Sequence, residues 1–245
     1  MLLWILIFSL LGSVGAVGVS ALLLVFPEGV RKTLIPCLIS YATGTLLGAA
    51  FLGMIPAGLR QAPANDVMPA ILAGIVLFFI LEKLVIWRHC HRVNCEIHTN
   101  AAPLVLIGDA FHNFVDGVVI AAAFLDSIPL GIGAALAVIA HEIPQEVGDF
   151  AILLDSGYSR TKAFLLNGLS SAATLPGALL TYFWLGETRA AVPYILAVSA
   201  ASFIYIAAAD LIPTLHRHVN IQSSLNQLML LLAGIFTIAF FPIGA

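Results

Sequence analysis

Long apolar runs follow one another along almost the whole chain, and they restrict its fold more than any other feature. Of its 245 residues, 61% are hydrophobic and only 9% are charged. A helix that crosses the hydrocarbon core of a membrane needs about 20 mostly apolar residues. We therefore predict an all-α polytopic membrane protein, with residues 1–245 forming one domain of eight transmembrane helices. The predicted spans are residues 2–26, 34–59, 67–87, 103–126, 129–154, 161–185, 192–214 and 225–243.

The basic residues predict how these helices are oriented. Loops after odd-numbered spans hold Arg31, Lys32, Arg88, Arg92, Arg160, Lys162 and Arg217, whereas loops after even-numbered spans hold only Arg60 and Arg189. Because cytoplasmic loops carry the excess of Lys and Arg, the odd loops are predicted to be cytoplasmic and both termini extracytoplasmic. No Lys or Arg precedes Arg31, so we interpret the first run as a span and not as a secretory signal.

A short echo suggests that the chain contains two related halves. The second span ends in GMIP (residues 53–56) and the seventh ends in DLIP (residues 210–213). An offset of five spans reverses the direction in which the chain crosses the membrane, so the echo predicts an inverted repeat. Helices 1–3 and 6–8 then flank helices 4 and 5 in a 3+2+3 arrangement. Chance similarity between Leu- and Ile-rich helices explains so short an echo equally well.

Ionisable residues collect within the fourth and fifth spans. Residues three or four apart share one face of a helix. One stripe on the fourth helix therefore contains Asp109, His112, Asn113 and Asp116, and the fifth helix presents His141, Glu142, Gln145, Glu146 and Asp149. A rise of ~1.5 Å per residue places His112 ~14 Å and His141 ~18 Å into the bilayer, so the two stripes are expected to meet near its middle.

These groups are costly inside a membrane, and the cost indicates their role. A charged residue at the centre of a helix costs roughly 2.5–3.5 kcal/mol on insertion scales, and mutual pairing is incomplete where carboxylates outnumber cations. A bound divalent cation removes this imbalance. Imidazole and carboxylate ligands suit Zn²⁺, with Fe²⁺, Mn²⁺ and Cd²⁺ also compatible. The alternative is that the polar groups only bond one another and fix helix packing.

The two polar boxes, HNFVDG (residues 112–117) and HEIPQE (residues 141–146), resemble those of the ZIP (Zrt/Irt-like) family of divalent-metal transporters. The segments FFILEKLVIWRHCH, at the end of the third span, and FIYIAAADLIP, in the seventh, are similar to ZIP segments too. The resemblance is to bacterial-type members, with boxes closest to those of the histidine-rich subfamily. It implies Zn²⁺ movement towards the cytoplasm, a metal site on helices 4 and 5, and outward-facing termini.

The resemblance also implies which residues bind the metal. The residues that match its ligand positions are His112, Asn113 and Asp116 on helix 4 and His141, Glu142 and Gln145 on helix 5, with Glu146 beside them. The histidine-rich subfamily usually has His where this chain has Gln145, and an amide is a weaker ligand. Near Gly53, where some members have His or Met, no side chain is available. Helix 6 offers only Asn167, Ser170 and Ser171 as an extra ligand.

Further candidates lie on the predicted cytoplasmic side. The loop over residues 88–102 contains His89, Cys90, His91, Cys95 and His98, which are able to receive a metal leaving the membrane; a merely solvated basic loop is the alternative. Their spacing fits no rigid zinc-finger pattern. Asp109 and Asp210 are candidates for an exit track, or for interfacial hydrogen bonds to neighbouring helices.

Two other functions share some of these features. A metal exporter needs the same ligands, because sequence does not encode the direction of net flux. The box beginning at His141 also starts like the zinc-protease motif H-E-x-x-H, but its fifth residue is Gln145. We therefore predict a transporter and not an enzyme, without a prosthetic group, in the cell membrane. The expected partners are divalent metal ions and lipid, with a homodimer left open and no nucleic acid.

Overall fold

The computed structural model describes residues 1–87, 101–187, 189–216 and 221–240. Of the described residues, 92% are helical and none belongs to a strand. Among them, eight helices are long and apolar enough to cross a membrane. They are α1 (Leu2–Leu23), α2 (Glu28–Gln61), α3 (Ala64–Leu84), α4 (Val105–Asp126), α5 (Ile128–Leu154), α6 (Arg160–Trp184), α7 (Val192–Leu215) and α8 (Ile221–Ala239). The predicted all-α fold with eight spans is thus confirmed.

The helix ends differ from the predicted ends where polar residues extend a helix beyond its apolar run. Helix α2 begins at Glu28 and not at residue 34. Pro27, at its N-cap, has a fixed φ of −56° and precedes an ion pair of 2.7 Å between Glu28 and Lys32. An acidic residue in the first turn and an i,i+4 pair both favour helix. Hydropathy alone misses this turn because its residues are not apolar.

The two echoed segments share an unusual backbone. A π-helical turn spans Ala49–Met54 in α2 and another spans Ala207–Leu211 in α7, and each is followed directly by Ile-Pro. Proline lacks an N–H and clashes with the carbonyl four residues before it, so a wider turn in front of it relieves the clash. The echo in sequence therefore corresponds to the same local structure in both helices.

Helix packing follows the pattern expected of an inverted repeat. Helix α2 packs mainly on α8, and helix α3 packs mainly on α7. In an inverted repeat α2 corresponds to α7 and α3 corresponds to α8, so these two contacts are equivalent. Helix α4 packs on α6, and helix α5 packs on α1. These contacts are also equivalent, because α4 corresponds to α5 and α6 corresponds to α1. Helices α4 and α5 contact each other over much of their length and lie between the two halves.

Helices α4 and α6 approach each other closely at two glycines. A Cβ atom added to Gly117 would collide with the carbonyl oxygen of Thr174, and one added to Gly177 would collide with the carbonyl oxygen of Phe114. Only glycine allows two helix backbones to approach this closely. This contact holds α6 against the polar stripe of α4.

Candidate metal centre

Four side chains of α4 and α5 converge at one point. The Nε2 atoms of His112 and His141 are 3.1 Å apart. His112 Nε2 lies 3.2 Å from Glu142 Oε1 and 3.8 Å from Asp116 Oδ2. His141 Nε2 lies 3.2 Å from Asp116 Oδ2 and 3.5 Å from Glu142 Oε1. The two polar stripes predicted from helical periodicity therefore face each other. We refer to His112, Asp116, His141 and Glu142 as the four-residue group.

These separations suit a tetrahedral metal ion. Zinc bonds of ~2.0–2.2 Å to nitrogen and oxygen place tetrahedral ligand atoms ~3.3–3.6 Å apart. The five separations given above are 3.1–3.8 Å, and all four atoms lie within 4.8 Å of one another. A small adjustment of the side chains is sufficient to place all four atoms around one cation.

The tautomer of His141 directs a lone pair into the group. Its Nδ1 atom lies 2.9 Å from the carbonyl oxygen of Ala137. A carbonyl oxygen only accepts, so Nδ1 carries the proton and Nε2 of the neutral ring presents its lone pair. The contacts of Nε2 with Asp116 and Glu142 therefore bring acceptors together. Among the described residues, no hydrogen-bond donor is paired with the side-chain oxygens of these two carboxylates.

The surroundings shield the group unequally. Asp116 and Glu142 are fully buried, whereas the His112 side chain is 20% exposed. Along α4, residues 119–124 beyond Asp116 are all fully buried. On the other side of the group, along α5 towards Leu154, Gln145 and Asp149 are half-buried and Gly148 is exposed. The group is therefore more accessible from the end of α5 near Leu154 than from the end near Ile128.

A second, all-oxygen set lies beside the first and shares Glu142 with it. Carboxylate oxygens of Asp109, Glu142 and Glu146 lie within 4.8 Å of one another, and all three residues are buried. Asn167 of α6 donates to Glu146 Oε2, while Glu146 Oε1 has no hydrogen-bond partner among the described residues. We refer to Asp109, Glu142 and Glu146 as the oxygen group. Like the four-residue group, it presents buried oxygens that lack a donor.

Helix α6 contributes a set of hydroxyl groups that bond to α4. Its helical path is interrupted by a turn at residues 172 and 173. Pro176 lies four residues after Ala172. Because proline has no N–H and its ring clashes with the carbonyl group four residues earlier, a regular helix cannot continue through this point. Helix α6 presents Ser170 and Ser171 before the turn and Thr174 after it. The sequence predicted the two serines only as possible extra ligands, and Thr174 was not predicted. Pro176 was the sequence feature that indicates the turn before Thr174.

Asn113 is fully buried, and both polar atoms of its amide lie within hydrogen-bonding distance of other groups. Its Nδ2 donates to the carbonyl oxygen of Asp109 at 3.2 Å and to Asp109 Oδ1 at 2.9 Å. Its Oδ1 lies 3.3 Å from the hydroxyl of Ser171 and 3.0 Å from that of Thr174, whose single proton also has the Ser171 carbonyl oxygen as an acceptor at 2.9 Å. In this arrangement Asn113 lies next to the predicted site, but its oxygen is directed towards α6.

The other predicted site residues are placed less centrally. Gln145 Nε2 lies 3.4 Å from Asp109 Oδ1, which is near the limit for a hydrogen bond. Asp149 and Asp210 belong to neither group of potential ligands among the described residues. Asp210 is exposed. The loop candidates His89, Cys90, His91, Cys95 and His98 lie outside the described residues.

Comparison with known proteins agrees with this geometry. A family model described as "ZIP Zinc transporter" matches residues 88–241, which is more than half of the chain. The Drosophila melanogaster "Zinc transporter ZIP13 homolog" is 30% identical, over 95% of this chain and 88% of that protein.

Other relatives are similar over a smaller share of their length. The Caenorhabditis elegans "Zinc transporter zipt-7.2" is 37% identical over 55% of this chain, and the Mus musculus "Zinc transporter ZIP4" is 39% identical over 54%. The matched stretch spans only 30% of the nematode protein and 19% of the mouse protein. The match to the family model and the nearly full-length similarity to the fly protein lead to one conclusion: the chain belongs to the ZIP zinc transporter family.

Proposed function

We propose that this protein carries Zn²⁺ across the membrane through the four-residue group, as a transporter and not as an enzyme. The observation that supports this proposal is the convergence of His112, Asp116, His141 and Glu142 at separations suited to tetrahedral zinc. Two imidazoles and two carboxylates are borderline ligands, with which Fe²⁺, Mn²⁺ and Cd²⁺ are able to compete. The names of the relatives favour zinc as the principal substrate.

The buried oxygens explain why a cation belongs there. A buried polar atom without a partner costs roughly 1–3 kcal/mol, and a charged one costs more. Asp116, Glu142 and Glu146 together present five such oxygen atoms among the described residues. A divalent cation would satisfy them, whereas a purely structural cluster would need donors.

We propose net movement towards the cytoplasm. The resemblance of the two boxes to those of ZIP transporters supports this direction, and the more accessible end of α5, at Leu154, is the end that the excess of basic residues predicts to be cytoplasmic. Asp109 and Asp149, and then Asp210, would lead the ion away, and the loop of residues 88–102 would receive it. We propose further that the chain is a bacterial-type member, with boxes closest to those of the histidine-rich subfamily, and that it lies in a cell membrane with both termini outside.

Flux through proteoliposomes tests the proposal. Purified protein is reconstituted, and uptake of Zn²⁺, Fe²⁺, Mn²⁺ and Cd²⁺ is followed with an internal fluorescent chelator under an imposed gradient. Protease accessibility of the loop at residues 88–102 reports the orientation of the protein. We expect Zn²⁺ flux into the compartment that the loop faces. Flux only in the opposite direction would support an exporter, and absence of flux for every metal would contradict the proposal.

Replacing Gln145 with His is expected to tighten zinc binding. The bond of Gln145 to Asp109 is long, so an imidazole at this position is free to turn towards the oxygen group, and imidazole is a better zinc ligand than an amide. We expect roughly a tenfold lower Kd for Zn²⁺, equivalent to ~1.4 kcal/mol, and slower turnover. Calorimetry and liposome flux measure the two effects, and Gln61→His at the end of α2 is the control. Unchanged affinity would place residue 145 outside the metal site.

The zinc-protease alternative is less compatible with the site. In such an enzyme, the fifth residue of the box joins the first as a zinc ligand. Here the corresponding Gln145 has its amide directed at Asp109, and His141 is joined by His112 from the preceding helix. Cleavage of a membrane peptide by the purified protein, lost in Glu142→Gln, would be needed to revive this alternative.

A further inference from the structure

The imidazole of His141 contacts two other aromatic rings. The ring of His112 lies 5.4 Å from it, centroid to centroid, at an interplanar angle of 84°. The ring of Phe203, on α7, lies 6.1 Å from it at an angle of 67°. Edge-to-face aromatic contacts have centroid separations of about 4.5–7 Å, so both pairs are in direct contact. Helix α7 therefore reaches the metal centre with an apolar ring.

Phe203 fills the space beside His141. Its side chain is 0% exposed, and that of His141 is 1% exposed. Phe203 belongs to an apolar core cluster that also contains Ala50 and Met54 of α2 and Val138 of α5. Protein interiors are close-packed, so the phenyl ring takes the room that a water molecule would otherwise need next to this imidazole.

The same contact restricts how the His141 ring turns. The torsion about the bond between Cβ and a histidine ring has broad minima, so an imidazole is oriented by its neighbours. The hydrogen bond from Nδ1 to the carbonyl oxygen of Ala137, 2.9 Å long, fixes one edge of the ring. A single hydrogen bond allows the ring to tilt, and packing against Phe203 limits that tilt. Nε2 thus stays 3.2 Å from Asp116 Oδ2, directed into the four-residue group.

We infer that Phe203 is a positioning residue that makes the four-residue group select Zn²⁺ over ions that need six ligands, such as Mn²⁺. This inference rests on the proposed function, because it concerns the selectivity of the same site. Zn²⁺ accepts four tetrahedral nitrogen and oxygen ligands, whereas Mn²⁺ favours octahedral, oxygen-rich shells. An imidazole held in one orientation, with no room for water beside it, suits the first ion and not the second.

Removing the phenyl ring is expected to change selectivity as well as affinity. In Phe203→Ala the His141 ring is free to tilt, and water gains room beside it. Such a water needs polar partners, and the buried oxygens of Asp116 and Glu142 have no hydrogen-bond donor among the described residues. Residues that orient a ligand or exclude solvent typically change metal affinity 10- to 100-fold. We expect the Kd for Zn²⁺ to rise roughly tenfold while that for Mn²⁺ stays the same or falls.

Phe150→Ala is the matched control for the loss of a buried phenyl ring. Phe150 lies on α5 itself, nine residues beyond His141, and is 6% exposed. It belongs to a separate core cluster with Leu153 and Ala163. Because both changes leave a cavity in the core, both are expected to lower the unfolding temperature. Only the change at Phe203 is expected to alter the ratio of Zn²⁺ to Mn²⁺ affinity.

Phe203→Leu gives the same test in a variant that keeps most of the apolar volume. Leucine fills part of the space but offers no flat ring to the imidazole. We expect its Zn²⁺ to Mn²⁺ affinity ratio to lie between those of wild type and Phe203→Ala. This variant decides the question if the alanine variant does not fold.

Calorimetry with Zn²⁺ and Mn²⁺, and visible absorption with Co²⁺, are measured on the purified full-length protein. Tetrahedral Co²⁺ absorbs visible light much more strongly than octahedral Co²⁺, so its spectrum reports the geometry of the site independently of transport. We expect the strong spectrum for wild type and Phe150→Ala, and a weaker one for both Phe203 variants.

An unchanged affinity ratio and an unchanged Co²⁺ spectrum in the Phe203 variants would overturn the inference. An equal shift of the ratio in Phe150→Ala would overturn it too, because the effect would then follow from lost stability. These results would leave the proposed function intact if wild type binds Zn²⁺ and His112→Ala does not. Absence of Zn²⁺ binding to wild type would instead contradict the proposed function, and the inference with it.

Discussion

Zinc transport is expected to fall to the background of empty liposomes when His112 is replaced by Ala. This side chain supplies one of four converging atoms and is the only member of the four-residue group with appreciable exposure, at 20%. Losing a direct ligand should exceed the ~10–100-fold cost of losing an outer partner, so we expect more than a 100-fold loss of Zn²⁺ affinity. Asp116→Ala is expected to behave in the same way.

The control for this prediction separates chemistry from folding. His216→Ala removes a histidine from the exposed end of α7, outside the four-residue group, and is expected to transport normally. Membrane insertion of Asp116→Ala should be unimpaired, because removing an intramembrane charge relieves an insertion cost of roughly 2.5–3.5 kcal/mol. Normal uptake by a well-expressed His112→Ala protein would refute the proposed site.

Replacing Gly117 with Ala is expected to destabilise the protein and to weaken metal binding at the same time. The new Cβ atom would collide with the carbonyl oxygen of Thr174, so α6 must move away from α4. Overpacking of this kind typically costs 1–3 kcal/mol, and a collision with backbone belongs at the upper end of that range. The same displacement would lengthen the bond between Thr174 and Asn113, which is 3.0 Å long.

Thermal unfolding and zinc calorimetry on the same preparations measure both effects. Gly168→Ala is the matched control, because a Cβ atom at that position of α6 meets no atom within 4 Å. Alanine is a better helix former than glycine by ~1 kcal/mol, so this control should be neutral or slightly stabilising. If Gly117→Ala binds zinc and unfolds like wild type, the close approach of α4 and α6 is not needed for the site.

Periodicity in the sequence predicted that the polar stripes of α4 and α5 meet, but it did not single out the four-residue group. His112 and Asp116 lie four residues apart on one helix, so they share a face whatever the tertiary structure. His141 and Glu142 are adjacent on α5, and the packing of α5 on α4 decides which of their atoms meet His112 and Asp116. Since α4 and α5 are consecutive and joined by a short turn at Ser127, their antiparallel packing follows from chain connectivity. The apolar runs fixed the number of helices for the same kind of reason, since hydropathy is a local property.

The roles of the polar residues around that group depended on the tertiary structure. In the sequence, Asn113 matches a ligand position. In the structure, its amide oxygen lies within hydrogen-bonding distance of the hydroxyl groups of Ser171 and Thr174, which lie about 60 residues further along the chain. That meeting depends on the contact at Gly117 and on the break before Pro176, neither of which periodicity within one helix can predict. A buried amide follows its strongest set of donors and acceptors, and these are supplied by a distant helix. The sequence by itself determined which polar residues lie within the membrane spans; the packing of α6 on α4 decided which of them bond to another helix.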